Sequence, residues 1–409
     1  MSHFDIASPP NASDICQYKP KKHGILYMSV RKRKWTTSAG ETKEAWIVDY
    51  VDADGDRHIE TFKKKKQADA YAQQVGVDIR AGIHTPASKS PTVAKAADDW
   101  LKHVESEGRE RSTLAQYGQH AKHICTRIGT QRLAALTTPG INKFRDELLT
   151  GDNKLSRALA RKVLVSLKSI LKDAKRQGNV AQNVALDVSI KKDKRNEDHK
   201  LEVGTDIPKP DDIKRIIAAV DGRLRPLLLT AIFTGLRASE LRGLRWEDVD
   251  LKDGKLQVKQ RADRYSVMGE PKTKSSKRTV PLPPDLVQTL REWKLACPKG
   301  ALGLVFPTRK GRIEHHSNIV RAFKDVVLKA GLKDKHGKPK YTGLHSLRHF
   351  YASWCINRKA DGGLELPVKI VQTRLGHATF AMTLDRYGHL FPSNDDGSEL
   401  ADAERALMG

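Results

Sequence analysis

The chain has 409 residues, enough for two or three domains rather than one core. Its 74 Lys and Arg against 49 Asp and Glu leave a formal charge of +25, which points to a polyanion, DNA or RNA first, because neutralised phosphates release counterions. Four scattered cysteines with no C-x-x-C pair exclude a zinc finger or a disulfide framework, and no apolar run approaches the ~20 residues of a membrane span.

The first 22 residues are polar and rich in Pro, Ser and Asn. They read as an arm and lack the charged and apolar regions of a signal peptide, so a soluble, cytoplasmic protein is expected. From Gly24 the segments GILYMSVRKRKW and AWIVDYVDADGDRHIETF alternate apolar and polar residues, with Asp54-Gly55 as a hairpin turn signal. A helical pattern follows, with Ala68, Tyr71, Ala72 and Val75 on one face. This predicts a three-stranded sheet with one helix over about 24–82, within an N-terminal domain of residues 1–85. Arg31, Lys32, Arg33 and Lys34 lie on its first strand, either as DNA contacts or as a solvated edge.

Residues 84–92, rich in Pro and Ser, read as a linker. Amphipathic helices then dominate. Val93, Ala96, Ala97, Trp100, Leu101 and Val104 share one face. Ser112 is expected to cap a second helix that ends at Gly129, and Leu159, Val163, Leu167, Ile170 and Leu171 form a later stripe. A helical domain of four or five helices is expected over 90–185. The charged, aperiodic stretch from 191 to 210 reads as a second linker. The third domain, 205–409, opens with helices, passes through short strands at 255–261 and 277–283, and returns to helices. The fold class is therefore mainly α with small β-sheets (α+β).

Four motifs in the third region bear chemistry. In TGLRASELRGLRWEDVD, Gly235 ends an apolar helix and Arg237 lies just before the next one, led by Glu240. A guanidinium there can fork onto phosphate oxygens, although an ion pair with Glu240 explains it as well. PKTKSSKRTVPL (271–282) looks like the tip of a β-hairpin from which Lys272 or Lys274 could reach a ligand. GLHSLRHFYASW puts His345 and Arg348 at i and i+3, on one helix face. His349 and Tyr351 beside them read as packing or support. In LPVKIVQTRLGHATFAMTLDRYGHL, Pro367 opens a helix, Gly376 ends it, His377 follows, and Tyr387 comes ten residues later.

Taken together and in this order, residues 208–391 resemble the tyrosine recombinase (phage integrase) family, whose pattern is Arg, Lys, His-x-x-Arg, His or Trp, then Tyr. Here the pattern reads Arg237, Lys272, His345, Arg348, His377 and Tyr387. The lysine is the ambiguous member, since Lys274 also fits the turn; Lys272 leads it, as the family's lysine does. Upstream, the resemblance is one of architecture, to lambda-type integrases with a sheet-plus-helix arm-binding domain and a helical core-binding domain. It implies a site-specific recombinase that integrates or excises a phage or other mobile element through a 3′-phosphotyrosyl bond, with no metal, ATP or other cofactor. Tyr387 would be the nucleophile, and Arg237 and Arg348 would neutralise phosphate oxygens. His345 and His377 would donate to the phosphate or help deprotonate the tyrosine. Lys272 would protonate the leaving oxygen, and Glu240 would orient the arginine or a histidine. The implied partners are double-stranded attachment-site DNA, three further copies in a tetramer, and a DNA-bending or excision factor, in a bacterial or phage-encoded, nucleoid-associated setting. Within the class the alternatives are a Xer-like resolvase and a type IB topoisomerase. Outside it stand a DNA-binding regulator that keeps the fold and a metal-dependent nuclease, for which no carboxylates cluster at ligand spacing.

Overall fold

The computed structural model describes residues 27–36, 42–52, 55–81, 84, 86, 90–191, 200–271, 273–391 and 398–408. The chain divides into two compact units, one up to residue 194 and one from 195 onward.

The first unit opens with an antiparallel sheet in the order β1 (Met28–Thr36), β2 (Thr42–Val51), β3 (Arg57–Phe62), followed by helix α1 (Lys65–Arg80). Alternation along the strands sends Val48 and Tyr50 to the α1 side, where they pack with Ala68, Ala72, Val75 and Ile79. The register pairs Arg31 with Ile47 and Arg33 with Ala45, so these two arginines stand on the opposite, helix-free face. The expected hairpin turn closes through Asp52 and Asp56, with Gly55 at φ 90°; Asp54 lies outside the described residues.

A second core of the same unit is built by α2 (Val93–Ser106), α3 (Arg111–Ile128), α4 (Thr138–Leu149) and α5 (Arg157–Arg176). Thr92, Thr137 and Ser156 cap three of them by accepting a backbone N–H. The helix expected to begin after Ser112 begins earlier. Glu110 is its N-cap, and Ser112 sits inside the first turn with its hydroxyl directed at Glu110. Gly129 does end α3, but in a right-handed conformation.

The second unit contains α6 (Pro210–Ala219), α7 (Leu224–Thr234), α8 (Ala238–Gly243), short strands β4 (Val249–Asp250) to β8 (Arg278–Pro281), and α9 (Pro284–Ala296). It continues with α10 (His316–Lys329), α11 (His345–Ile356), α12 (Val368–Leu375), α13 (Phe380–Tyr387) and α14 (Ser398–Met408). Helix α7 is apolar on every side and is therefore an interior helix, packed by α9 and α11. Strands β4, β5 (Lys255–Val258) and β8 form one sheet, β6 (Arg261–Ala262) and β7 (Met268–Gly269) another. The expected hairpin tip is displaced. The β6–β7 hairpin closes at Asp263–Val267, and the lysine segment is instead a 3₁₀ turn, Lys274–Ser276, leading into β8. Among the described residues no helix is long and apolar enough to cross a membrane, and no group of His, Cys, Asp or Glu is placed to hold a metal ion.

Candidate active site

Two glycine turns set the site. Gly235 ends α7 at φ +61°, a region costly for any side chain, and a β-carbon there would collide with the ring of Tyr351. The chain reverses at that point and delivers Arg237 to the N-cap of α8. The Arg237 backbone N–H donates to Glu240 Oε2 and its Nη1 to Glu240 Oε1, both at 2.8 Å. Gly376 ends α12 at φ +63° and turns the chain toward His377. Its carbonyl accepts from Arg237 Nη2 at 3.2 Å, which ties the two turns together.

Arg348 locks the same two helix ends from α11. Its Nη1 donates to Gly235 O at 2.7 Å and its Nη2 to Leu375 O. A guanidinium suits this position because the last carbonyls of α7 and α12 lack helical partners and carry partial negative charge. Burial, and then Arg237, press Arg348 down to about 9, and it remains cationic at neutral pH.

Glu240 is buried beneath the pair of turns. Burial alone would raise its carboxyl, but hydrogen bonds from Arg278 at 3.1 and 2.9 Å, with the charges of Arg278, Arg237 and Arg348, hold it at about 2. Arg278, on β8, also donates Nε to Arg374 O at 2.7 Å and is itself buried. Sequence reasoning missed this residue. Its signal was the alternation of β8, which turns Arg278 and Val280 to the buried side.

Arg237, His345, Arg348, His377, Met382, Arg386 and Tyr387 line one open pocket of about 250 Å³. Five of the six residues expected from the family pattern therefore converge, with Glu240 behind them. Lys272 lies outside the described residues, and of Lys274 only the backbone is described, so the lysine is not placed here. Arg386 on α13 joins the pocket without having been singled out. Three guanidiniums (Arg237, Arg278, Arg348) act on the Glu240 carboxylate, and with Arg386 in the pocket they leave excess positive charge, which calls for an anionic guest.

His345 opens α11 at the pocket mouth. The packed protein around it, then Arg348, Arg386 and Arg237, lowers it to about 4. His377 is lowered to about 4 by burial and by Arg348, Arg237 and Arg278. Its Nδ1 pairs with Thr383 Oγ1 at 3.0 Å, and its ring lies parallel to Tyr387 with centroids 6.3 Å apart. Tyr387, the last residue of α13, is buried, which raises its phenol; Arg348, Arg386 and Arg237 oppose the rise. Its oxygen meets His349 Nδ1 at 2.7 Å. Tyr351, read as support, does pack against the Gly235 turn.

On the N-terminal sheet the four consecutive basic residues split. Arg31 and Arg33 lie on the helix-free face, while Lys32 and Lys34 lie on the other and pair with Glu44 at 2.6 and 3.5 Å. Buried Asp49 on the helix-free face accepts from Arg31 at 3.2 Å and from Arg57 Nε at 2.8 Å. Arg57 was not anticipated, because its partner is set by strand register rather than by any local motif.

Residues 209–394 match the profile of the phage integrase family. A tyrosine recombinase XerC-like protein of Caldanaerobacter subterraneus subsp. tengcongensis is 28% identical over 358 residues, covering 81% of this chain and 87% of that protein. An integrase of Streptomyces ambofaciens is 24% identical over 393 residues, 91% of this chain and 94% of its own. In fold, the chain is similar to the Tn1549 transposon integrase in complex with a circular intermediate DNA, with a TM-score of 0.61 at 20% identity, covering 78% of this chain and all of that one. It is also similar to the lambda integrase in a tetramer bound to a Holliday junction, with a TM-score of 0.53 at 20% identity over 85% of this chain and 95% of the other. The pocket residues fall inside the matched span, and residues 209–394 form a tyrosine recombinase, or phage integrase, family domain.

Proposed function

We propose that this recombinase cuts and rejoins double-stranded DNA at specific attachment sites, moving a phage or other mobile element into and out of a chromosome. The observation that carries the chemistry is the convergence of Arg237, His345, Arg348, His377 and Tyr387 on one cationic pocket. A phosphodiester in it would accept from Arg237 and Arg348, whose charge compensates the transition state. Tyr387 would attack phosphorus, and the 3′-phosphotyrosyl bond would conserve the phosphodiester energy, so that religation needs no ATP. His345 and His377 would donate hydrogen bonds to the phosphate, and Lys272, or Lys274, would protonate the departing 5′ oxygen. Glu240 and Arg278 would hold Arg237 in place. The arginines supply the charge compensation otherwise expected of a metal, so cleavage should survive EDTA.

Three functional parts are inferred, an arm-binding segment over 1–85, a core-binding segment over 90–185 and a catalytic segment over 205–409. Their support is the separate apolar cores of the sheet, the helical bundle and the last unit. Arg31, Arg33 and Arg57 on the helix-free sheet face would bind arm DNA. Recombination of two duplexes requires four such sites, hence a homotetramer on DNA, with accessory DNA-bending or excision factors in a nucleoid-associated setting. A Xer-like chromosome or plasmid resolvase is the second reading, supported by the similarity to a XerC-like tyrosine recombinase.

The test is a nicked duplex carrying DNA from beside the gene, incubated in EDTA with wild type and with Tyr387→Phe. A covalent, SDS-stable band with wild type alone is expected. A band that persists in Tyr387→Phe would remove Tyr387 as nucleophile.

A further inference from the structure

The hydrogen bond at the Tyr387 oxygen involves neither histidine of the family pattern. Its partner is His349, whose Nδ1 lies 2.7 Å away. Both side chains are buried. The imidazole is held on both sides, with the ring of His345 edge-on at 4.6 Å and that of Tyr387 at 5.8 Å. His377 has its Nδ1 committed to Thr383, and its face rather than its edge lies against Tyr387.

Neither partner is charged at neutral pH. Burial, then His345, Arg386, Arg348 and His377, presses His349 down to about 3, and burial raises the phenol. One proton is shared between two neutral groups. If the imidazole donated, an Oη lone pair would be occupied and the phenol proton would have no acceptor. If the phenol donates, both lone pairs remain for attack and the acceptor is already in position.

We propose that His349 is a further catalytic residue, which aims Tyr387 by accepting its phenolic hydrogen bond and takes the proton as the phenol attacks. In that step the Oη–H bond breaks and its proton moves to Nδ1, while an Oη lone pair forms the O–P bond. The P–O5′ bond breaks, its electron pair stays on O5′, and O5′ is protonated by the lysine. Religation reverses each transfer, and Nδ1 returns its proton to Oη. The groups facing the imidazole are His345 and Arg348 on its own helix, Arg386 and Tyr387 on α13, and His377 before it. The arginines oppose an imidazolium, and the negative charge of an incoming phosphate offsets them. The neutral resting state is thus the one a base requires, and its basicity rises when DNA is bound. The inference rests on Tyr387 being the nucleophile.

The experiment uses the full chain in single-turnover cleavage of the nicked duplex. One substrate is the ordinary phosphodiester. The other carries a 5′-bridging phosphorothiolate at the mapped cleavage position, whose thiolate leaves without a proton. For His349→Leu, unchanged DNA affinity and cleavage slowed about 100-fold on both substrates are expected, in line with the usual worth of a general base. His349→Asn keeps an acceptor near the position of Nδ1 but cannot titrate. It should cleave at an intermediate rate, without the fall in rate at low pH expected of wild type. If His349→Leu is unfolded by circular dichroism, His349→Asn decides alone. The proposal is overturned if the folded variant cleaves like wild type with the wild-type pH profile, or if the phosphorothiolate restores its rate, which would place His349 at the leaving group. A covalent band with Tyr387→Phe overturns the nucleophile reading beneath it. A band lost in Tyr387→Phe but unaffected in His349→Leu overturns only the role of His349.

Discussion

Glu240 shows how one buried side chain supports a cationic site. Its carboxyl is held at about 2, below the 4.5 of an exposed glutamate. A depressed carboxylate stabilises the fold above its unfolded pKa, and that contribution is lost as pH falls from about 4.5 through about 2. The shift corresponds to about 3 kcal/mol. In Arg278→Leu the carboxylate keeps its burial and loses its main partner, so destabilisation of about 3–5 kcal/mol is expected in urea unfolding at pH 7, with less of the remaining stability lost between about pH 4.5 and 2 than in wild type because the folded carboxyl titrates higher. Equal stability of wild type and variant at pH 7 would show that Arg237 alone satisfies the carboxylate. Glu240 was legible in the sequence as the support of Arg237. Arg278 was not, because its partner lies 38 residues away and only the fold brings them together.

At the level of elements, the turn at Gly235 is the reference point for both Arg237 and Arg348 of the pocket. Arg237 follows it by two residues, and Arg348 donates to its carbonyl. Gly235→Ala adds a strained φ, about 1–2 kcal/mol by itself, and a collision with Tyr351. A lowered melting temperature and loss of the covalent DNA complex should appear together; a variant of normal stability and activity would separate the turn from the site. The N-terminal strand makes a parallel case. Four basic residues in a row are one motif in sequence and two faces in a strand. Substituting Arg31 and Arg33 together by Ala should weaken binding to arm DNA and lower its salt dependence by about one unit of slope for each phosphate no longer neutralised, whereas Lys32→Ala with Lys34→Ala should change little. Equal effects of the two pairs, measured by fluorescence anisotropy across a salt series, would refute the assignment of faces.

At the scale of the whole molecule, the proposed recombination would place cleavage in one protomer and exchange in four. Helix α14 leaves Leu407 and Met408 almost fully exposed, a surface suited to docking on a neighbouring protomer. Removal of residues 393–409 should leave cleavage of a single nicked site intact while abolishing synapsis and strand exchange, as read on native gels with two sites. Undiminished exchange would assign the helix no role in assembly.

The sequence by itself determined the class of fold, the family and most of the pocket, because Arg237, His345-x-x-Arg348, His377 and Tyr387 each sit at a helix boundary that short-range signals mark. Periodicity, Gly235, Gly376 and Pro367 are local features, and local features survive in a string of letters. What only the tertiary structure decided were the partners: Arg278 under Glu240, Asp49 between Arg31 and Arg57, and His349 on the phenol of Tyr387. These pairs depend on which faces of separate elements are buried together. Burial also makes them consequential, since away from water an unpaired carboxylate or phenol is costly and a paired one is held in place.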